Sequence, residues 1–259
     1  MSGLLHYMWN CNRKRFIISF CILIFIMAIL CIQMNVQLSG TSDKKQLELF
    51  FVIVILYIFS LFLSFIQTVA TFSKLLKNPL IRLSGVSGWK IVWGIVLFLF
   101  AVMIVWEVVA DCLLYILGIL AIPGSTLFQL LTEIKDMTRM EWLLNSLIEM
   151  LKVESIMVQI LFLIVLMKWL IKKRKLQFLS IIVSFFILNA IFKGIYVGLG
   201  KVTTAYEFTK KVMYLSGEGL EIGMYAGTTI NIYNISFACI IGVACMYATA
   251  YIIDNKLEA

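Results

Sequence analysis

Charged side chains inside long apolar runs are the residues of this sequence best placed to do chemistry. Glu107 and Asp111 lie four residues apart in VWEVVADCLL, so they share one face of a helix. Lys193 lies in another apolar run, NAIFKGIYVG. Because a charge inside a bilayer is costly, such residues usually pair or line a transport path. We expect Glu107 and Lys193 to form an intramembrane charge pair or, with Asp111, to face an outer vestibule. A substrate- or proton-handling role is the alternative.

Residue sets typical of enzymes are not found in the sequence. His6 is the single histidine, which argues against zinc proteases and against nucleophiles activated by histidine. GLGKVTT contains a Gly-Lys pair, but Ile195 and Val202 stand where a phosphate-binding loop needs Gly and Ser or Thr. The six cysteines show no metal-ligand spacing. We therefore expect no enzyme, no metal, no disulfide and no cofactor bound by this chain.

The composition indicates the elements that must position these residues. Of 259 residues, 62% are hydrophobic and 14% are charged, against about 25% charged residues in soluble domains. The mean hydropathy is +1.01. Because a helix needs about 20 apolar residues to cross a bilayer, the sequence predicts an all-α polytopic membrane protein with a single transmembrane domain, 1–259. The six predicted spans are 16–38, 48–72, 90–117, 154–171, 177–199 and 228–252.

Three further segments are predicted to lie at the membrane surfaces. Residues 1–15 are expected to form an N-terminal interfacial helix, with a disordered tail as the alternative. Residues 118–153 place apolar side chains at helical spacing and predict an external amphipathic segment. Residues 200–227 are too polar to span and too apolar for a free loop, so we expect half-buried, re-entrant outer helices. The interfacial anchors are Trp9, Arg13, Lys14, Arg15, Trp89 and Lys90.

The distribution of basic residues predicts the orientation. The net charge is +8, and most of the 22 basic residues lie in segments that six spans would place on one side. The positive-inside rule makes that side cytoplasmic and puts both termini there. The positive charge then reflects topology, and no nucleic-acid partner is expected. These basic residues are Arg13, Lys14, Arg15, Lys74, Lys77, Arg82, Lys90, Lys168, Lys172, Lys173, Arg174, Lys175 and Lys256.

A compact basic loop, residues 73–89, joins the second and third predicted spans. Its sequence includes NPLIRLSGVSGWK. Asn78 and Pro79 favour a break in the chain and a new helical turn. Gly85 and Gly88 permit a sharp reversal before the third span. A plain interfacial turn is the simplest interpretation of this loop from its residues.

The order of these parts resembles the permease subunit of bacterial type-2 ABC exporters, over nearly the whole chain. In that family a cytoplasmic coupling helix between helices 2 and 3 docks into a separate ATPase subunit. The resemblance implies ATPase-coupling roles for nine residues of the loop 73–89. A Gly-Lys pair common in the family is incomplete here, because Gly94 is followed by Ile95. The implied coupling residues are Leu75, Leu76, Pro79, Leu80, Ile81, Arg82, Leu83, Ser84 and Gly85.

The resemblance also implies a function and partners. Small permeases of this kind are similar to exporters of peptide toxins (phenol-soluble modulins) and to lantibiotic-immunity permeases. The expected complex contains two permease chains, two ABC ATPase subunits that bind ATP and Mg, and an amphipathic peptide substrate that enters a cleft lined by spans one, two and five. The expected location is the bacterial plasma membrane. A non-ABC membrane scaffold or sensor, and an ABC permease for a lipid, drug or ion, are the alternatives.

Overall fold

The computed structural model describes residues 2–36, 43–78, 85–120, 139–202, 207–215 and 222–256. These residues form long helices and one hairpin of two strands. The elements, in chain order, are α1 (Ser2–Val36), α2 (Asp43–Leu75), α3 (Gly88–Leu120), α4 (Arg139–Leu170), α5 (Arg174–Val202), β1 (Glu207–Leu215), β2 (Ile222–Asn231) and α6 (Ile232–Lys256).

Five of the described helices are long and apolar enough to cross a membrane. They contain the stretches Phe50–Leu75, Gly88–Leu117, Ser146–Leu170, Lys175–Leu199 and Ile235–Lys256. α1 is a further long helix that contains the predicted first span as far as Val36. The described helices are therefore consistent with the helical, multi-pass membrane class predicted from the composition. It follows from continuous apolar runs of the required length, because a helix satisfies its backbone hydrogen bonds internally.

Two clusters of buried side chains hold the helices together. One joins the start of α1, the end of α2, the first half of α3, and parts of α4 and α6, around Phe72, Ile95 and Leu161. The other joins the remaining halves of α1, α2 and α3 around Phe50 and Trp106. The Trp106 indole donates a hydrogen bond of 2.9 Å to the Ser64 hydroxyl, which fastens α3 to α2. Polar side chains thus add hydrogen bonds of defined geometry to helix contacts that are mostly apolar.

The N-terminal segment is part of α1 and does not form a separate interfacial helix. Met8, Asn12 and Phe16 are buried at intervals of four residues, so one stripe of α1 faces the bundle. The Asn12 side-chain amide donates hydrogen bonds to the Met8 carbonyl, at 2.9 Å, and to the Thr71 hydroxyl, at 2.7 Å. Residues 2–15 are therefore joined to the first span without a break, and their predicted position at the membrane surface stays a prediction.

The fourth span begins earlier than predicted. The sequence placed 118–153 outside the membrane and began the span at residue 154, whereas α4 is continuous from Arg139 to Leu170. Its apolar stretch starts at Ser146. Ile148 and Met150 are buried in the bundle, so the apolar spacing assigned to an external segment belongs to the span itself. Residues 121–138 of the predicted external segment lie outside the described part of the chain.

The segment between α5 and α6 contains strands, so the prediction of half-buried outer helices there is wrong. β1 and β2 pair antiparallel, with Glu207 opposite Asn231 and Leu215 opposite Ile222. The register shifts between Lys210 and Lys211. The strands contain several β-branched and aromatic residues, which favour extended backbone. α6 follows β2 directly, so the hairpin leads into the last helix.

The two ends of the described chain lie at the same end of the helix bundle. The first turns of α1 contact α3 near its start, where Leu4 approaches the position of Gly94. The last turn of α6 contacts the first residue of α3 through Asp254. The Lys256 ammonium also lies 6.0 Å from the ring of Trp169, which is near the end of α4. The link from α2 to α3 and the link from α4 to α5 therefore belong to this end as well, which we call the terminal end.

Candidate functional site

The link between α2 and α3 is held by packing at the point where it leaves the bundle. Leu75 and Leu76 are almost fully buried, and the Leu76 amide donates a hydrogen bond of 3.0 Å to the Phe72 carbonyl. Their predicted role in contacting an ATPase would therefore be indirect, since both side chains pack inward. Gly85 is exposed and has a φ of 64°, a value that glycine adopts without strain. The other predicted coupling residues, Pro79, Leu80, Ile81, Arg82, Leu83 and Ser84, lie outside the described residues.

Both ends of this link are hydrogen-bonded to other helices. At its start, the Asn78 side-chain amide donates to the Tyr7 hydroxyl of α1 at 3.0 Å. At its end, the Gly88 amide donates to the Asp254 carboxylate of α6 at 2.5 Å. An acidic side chain at a helix N-terminus satisfies a free backbone N–H and interacts favourably with the helix dipole. The α2–α3 link is thus hydrogen-bonded to α1 and α6, the first and last of the described helices.

The contact between α3 and α6 is close enough to require glycine at its centre. A Cβ atom at Gly88 would lie 2.6 Å from the Ala250 carbonyl oxygen and 2.9 Å from the Ile253 Cβ. At Gly94 the neighbours are ends of α1 side chains, since a Cβ there would lie 2.8 Å from the Leu4 Cδ2. Glycines at such positions let helices approach more closely than other residues allow. Gly94, which the sequence analysis noted only for the missing lysine after it, has a packing role.

The predicted interfacial anchors are exposed at the terminal end. Trp9, Arg13, Lys14 and Arg15 project from α1, where Trp9 is 45% exposed. Trp89 and Lys90 are exposed in the first turn of α3, and the Trp89 ring makes an edge contact of 5.8 Å with Trp93. Other exposed basic residues of this end are Lys74, Lys77, Lys172, Lys173, Lys175 and Lys256. A tryptophan and basic border is typical of a membrane surface.

The acidic residues of α3 have partners other than Lys193. The Glu107 carboxylate accepts a hydrogen bond from the Ser146 hydroxyl of α4. It also interacts with Tyr57 of α2, which lies within electrostatic range of Asp111. Within the described residues, no ion pair joins Glu107 to Lys193. α5 packs against α4 and α6 and faces α3 across a cavity whose lining includes Lys193 but not Glu107.

This cavity lies between α3, α4, α5 and α6 and has a volume of about 890 Å³. That volume falls within the range typical of sites for small molecules, about 300–1,000 Å³. Its lining is mostly apolar and aromatic. The lining includes Glu154, Gln159, Lys193, Cys239, Gly242 and Met246.

Glu154 is a buried acidic side chain of the cavity, and the sequence analysis did not select it. Its side chain is 7% exposed, and neither carboxylate oxygen has a hydrogen-bond partner. Gln159 is 4% exposed, and its side-chain carbonyl oxygen also has no partner. Its amide nitrogen donates to Ser155 at 3.3 Å. Buried polar atoms are nearly always paired, so three buried oxygens without partners on two lining residues make this cavity a candidate binding site.

No family model, curated protein or solved structure matches this chain. The described residues contain no group of three His, Cys, Asp or Glu side chains that could hold a metal ion. The position of Glu154 beside a cavity could not be found from its sequence neighbours, because it depends on how four helices pack. The function is therefore inferred from the hydrogen bonds at both ends of the α2–α3 link and from the cavity.

Proposed function

We propose that this chain is the membrane-spanning subunit of an ATP-driven ABC exporter in a bacterial plasma membrane. In this proposal the terminal end faces the cytoplasm, and the α2–α3 link is the contact for a separate ATPase subunit. Two such chains, or this chain and a related one, form the path for an amphipathic substrate, and a peptide is the proposed class. ATP and Mg bind to the ATPase subunits.

The observation that carries this proposal is the attachment of the α2–α3 link to two distant helices. Asn78 bonds to α1 and Gly88 bonds to α6, over sequence separations of 71 and 166 residues. A link whose only task is to connect two spans needs neither bond. A link that is pushed by a partner must be joined to the helices that the partner moves, because displacement is carried by packed and hydrogen-bonded elements.

The charge of the terminal end supports the same orientation. Exposed basic side chains surround the link on α1, α2, α3 and the connection between α4 and α5. Basic residues near the membrane favour the cytoplasmic side and its anionic lipids. The link would then face the compartment that supplies ATP. Leu80, Ile81 and Leu83 are the apolar side chains that the loop sequence offers to a groove on the ATPase.

The proposal is tested by purifying the full-length chain with an affinity tag from membranes of its source organism. We expect a co-purifying protein with an ABC ATPase signature, and an ATP hydrolysis activity of the complex that vanadate inhibits. Leu80→Asp should remove this ATPase from the purified material. Loss of one buried leucine costs about 1.5–3 kcal/mol, which weakens the affinity about 10- to 100-fold.

Leu176→Asp is the matched control, because Leu176 is exposed near the start of α5 at the same end of the bundle. It introduces the same charge without altering the link, so ATPase assembly should persist. Equal assembly with Leu80→Asp and with the wild-type chain would refute the coupling role. Purification of the intact chain without any ATPase would favour the membrane scaffold or sensor.

A further inference from the structure

The cavity between α3, α4, α5 and α6 differs from the substrate cleft that the resemblance implies. That cleft would lie between spans one, two and five, whereas neither α1 nor α2 lines the cavity. The cavity is bordered on the α6 side by Cys239, Gly242 and Met246, and on the α5 side by Phe192, Lys193 and Tyr196. Its apolar walls suit a hydrocarbon body, while its polar lining residues lie mainly on α4 and α5.

The polar atoms on α4 specify what such a body must carry. The two Glu154 oxygens and the Gln159 carbonyl oxygen are acceptors without donors. A buried carboxylate is costly unless it meets a positive charge or a donor. A primary ammonium supplies one positive charge and three N–H donors. A quaternary ammonium supplies the charge alone, and an alcohol supplies a single donor without charge.

We propose that this cavity binds an amphipathic primary amine, with the ammonium group bound to Glu154 and Gln159 and the apolar chain along α3, α5 and α6. The site belongs to this chain alone and does not depend on the ATPase partner of the proposed exporter. Loss of ATPase coupling would leave this binding intact, and loss of binding would leave ATPase assembly intact.

Two lysines of the lining bear on the choice of a cation. Lys152 has an interaction of its own in the structure. Lys193 is exposed and extends from α5, and a lysine ammonium can reach water from a membrane helix by extending its side chain. Glu154 is therefore the buried acidic group of the lining that has no hydrogen-bond partner, and an amine is its complement. An anionic ligand would instead require Lys193 and would leave all three acceptors unpaired.

Binding is measured with radiolabelled dodecylamine on the full chain in lipid nanodiscs at pH 7, after subtraction of binding to empty nanodiscs. We expect saturable binding, and competition by dodecyltrimethylammonium that is at least about 10-fold weaker because it lacks donors. Glu154→Gln should weaken dodecylamine binding at least about 10-fold. Absence of saturable binding, or equal binding by Glu154→Gln, would overturn the proposal.

A second pair of variants tests the location without altering any polar group. Gly242 lines the cavity, and a Cβ built there meets no atom within 4 Å, so Gly242→Leu should fill the cavity without a clash. Gly198→Leu is the matched control, because Gly198 also has open space and does not line the cavity. We expect the first variant to lose binding about 10-fold or more and the second to keep it. Unchanged binding by Gly242→Leu would place the ligand elsewhere and overturn the proposal.

Lys193→Met separates a cation site from a site for an anionic or zwitterionic head group. Removal of the lysine charge takes away a repulsion, so dodecylamine should bind equally well or more tightly. A loss of binding with this variant would mean that Lys193 holds the ligand, which contradicts the proposed recognition by Glu154. Elution of every variant at the wild-type position in size-exclusion chromatography establishes that the fold is retained.

Discussion

The hydrogen bond between Gly88 and Asp254 provides the sharpest test of how the bundle is joined at the terminal end. The carboxylate of the last helix accepts the backbone N–H at the first residue of α3, at 2.5 Å. Asp254→Ala removes this acceptor and leaves the N–H partly buried. Gly88→Ala keeps the acceptor but places a Cβ atom 2.6 Å from the Ala250 carbonyl oxygen.

The size of each effect follows from the contacts. A hydrogen bond to a charged group contributes about 1.5–3 kcal/mol, and the lower part of this range applies because Asp254 is half-buried. Gly88→Ala must move α6 away by several tenths of an ångström, since ordinary contact begins at 3.4 Å. Overpacking of this kind costs about 1–3 kcal/mol. The same movement lengthens the hydrogen bond between Gly88 and Asp254. Each substitution therefore weakens this bond, and the two losses of stability overlap.

We therefore expect the double variant to be less destabilised than the sum of the two single variants, by about 1 kcal/mol. Equilibrium unfolding in mixed micelles, followed by tryptophan fluorescence, gives the free energy of unfolding for all four proteins. Asn255→Ala is the control, because this neighbouring side chain is exposed and bonds only within its own helix, to Tyr251, in the described contacts. Losses that add within about 0.5 kcal/mol would refute the reasoning, because the two sites would then act independently.

Two further substitutions test the attachment of α1 by the same measurement. Asn12→Ala should lower the free energy of unfolding by about 1–3 kcal/mol, since it removes a buried bond to Thr71, whereas Asn255→Ala should have almost no effect; equal effects would contradict the role of burial. Gly94→Leu should destabilise the protein by about 1–3 kcal/mol because α1 side chains occupy the space, whereas Gly242→Leu should not; a stable Gly94→Leu protein would show that α1 does not pack there.

The helices were predictable because the length of a continuous apolar run indicates the length of the helix. The third predicted span, 90–117, falls within Gly88–Leu120, and the fifth, 177–199, falls within Arg174–Val202. The error at α4 has a physical cause. Lys152 and Glu154 interrupt the apolar run, and the sequence cannot show that both residues face a cavity. The cost of a charge depends on what surrounds it in the folded protein, so the hydropathy profile placed the start of the span too late.

The hairpin was missed although its residues contained a signal. Val212, Tyr214, Tyr225, Thr228 and Ile230 are β-branched or aromatic, and such residues favour strands. The intermediate polarity of residues 200–227 predicted half-buried helices, because polarity alone does not distinguish a re-entrant helix from a strand. The register irregularity at Lys210 and Lys211 could not be predicted, because it depends on the pairing of two segments rather than on either one.

The candidate sites divide in the same way. Trp89, Lys90 and the basic residues near Arg13 were predicted from local sequence, because membrane anchors are defined by residue type and by position beside a span, and the structure shows these side chains exposed. The bond between Gly88 and Asp254 joins residues 166 positions apart and has no local signal. Glu154 is the first residue of the fourth predicted span, and its unpaired oxygens and its place beside a cavity depend on how the helices pack.

α6 contains residues of both the α2–α3 link contact and the cavity wall. Its last turn holds the end of the α2–α3 link through Asp254, and its middle forms a wall of the cavity through Gly242. These two residues are about 18 Å apart along a continuous helix, at 1.5 Å per residue. A helix of that length moves largely as one body, so a displacement of Gly88 by a partner would shift the cavity wall as well. In the proposed exporter, a force on the link would reach α6 through the close contact at Gly88, and the resulting movement would alter the affinity of the proposed amine site.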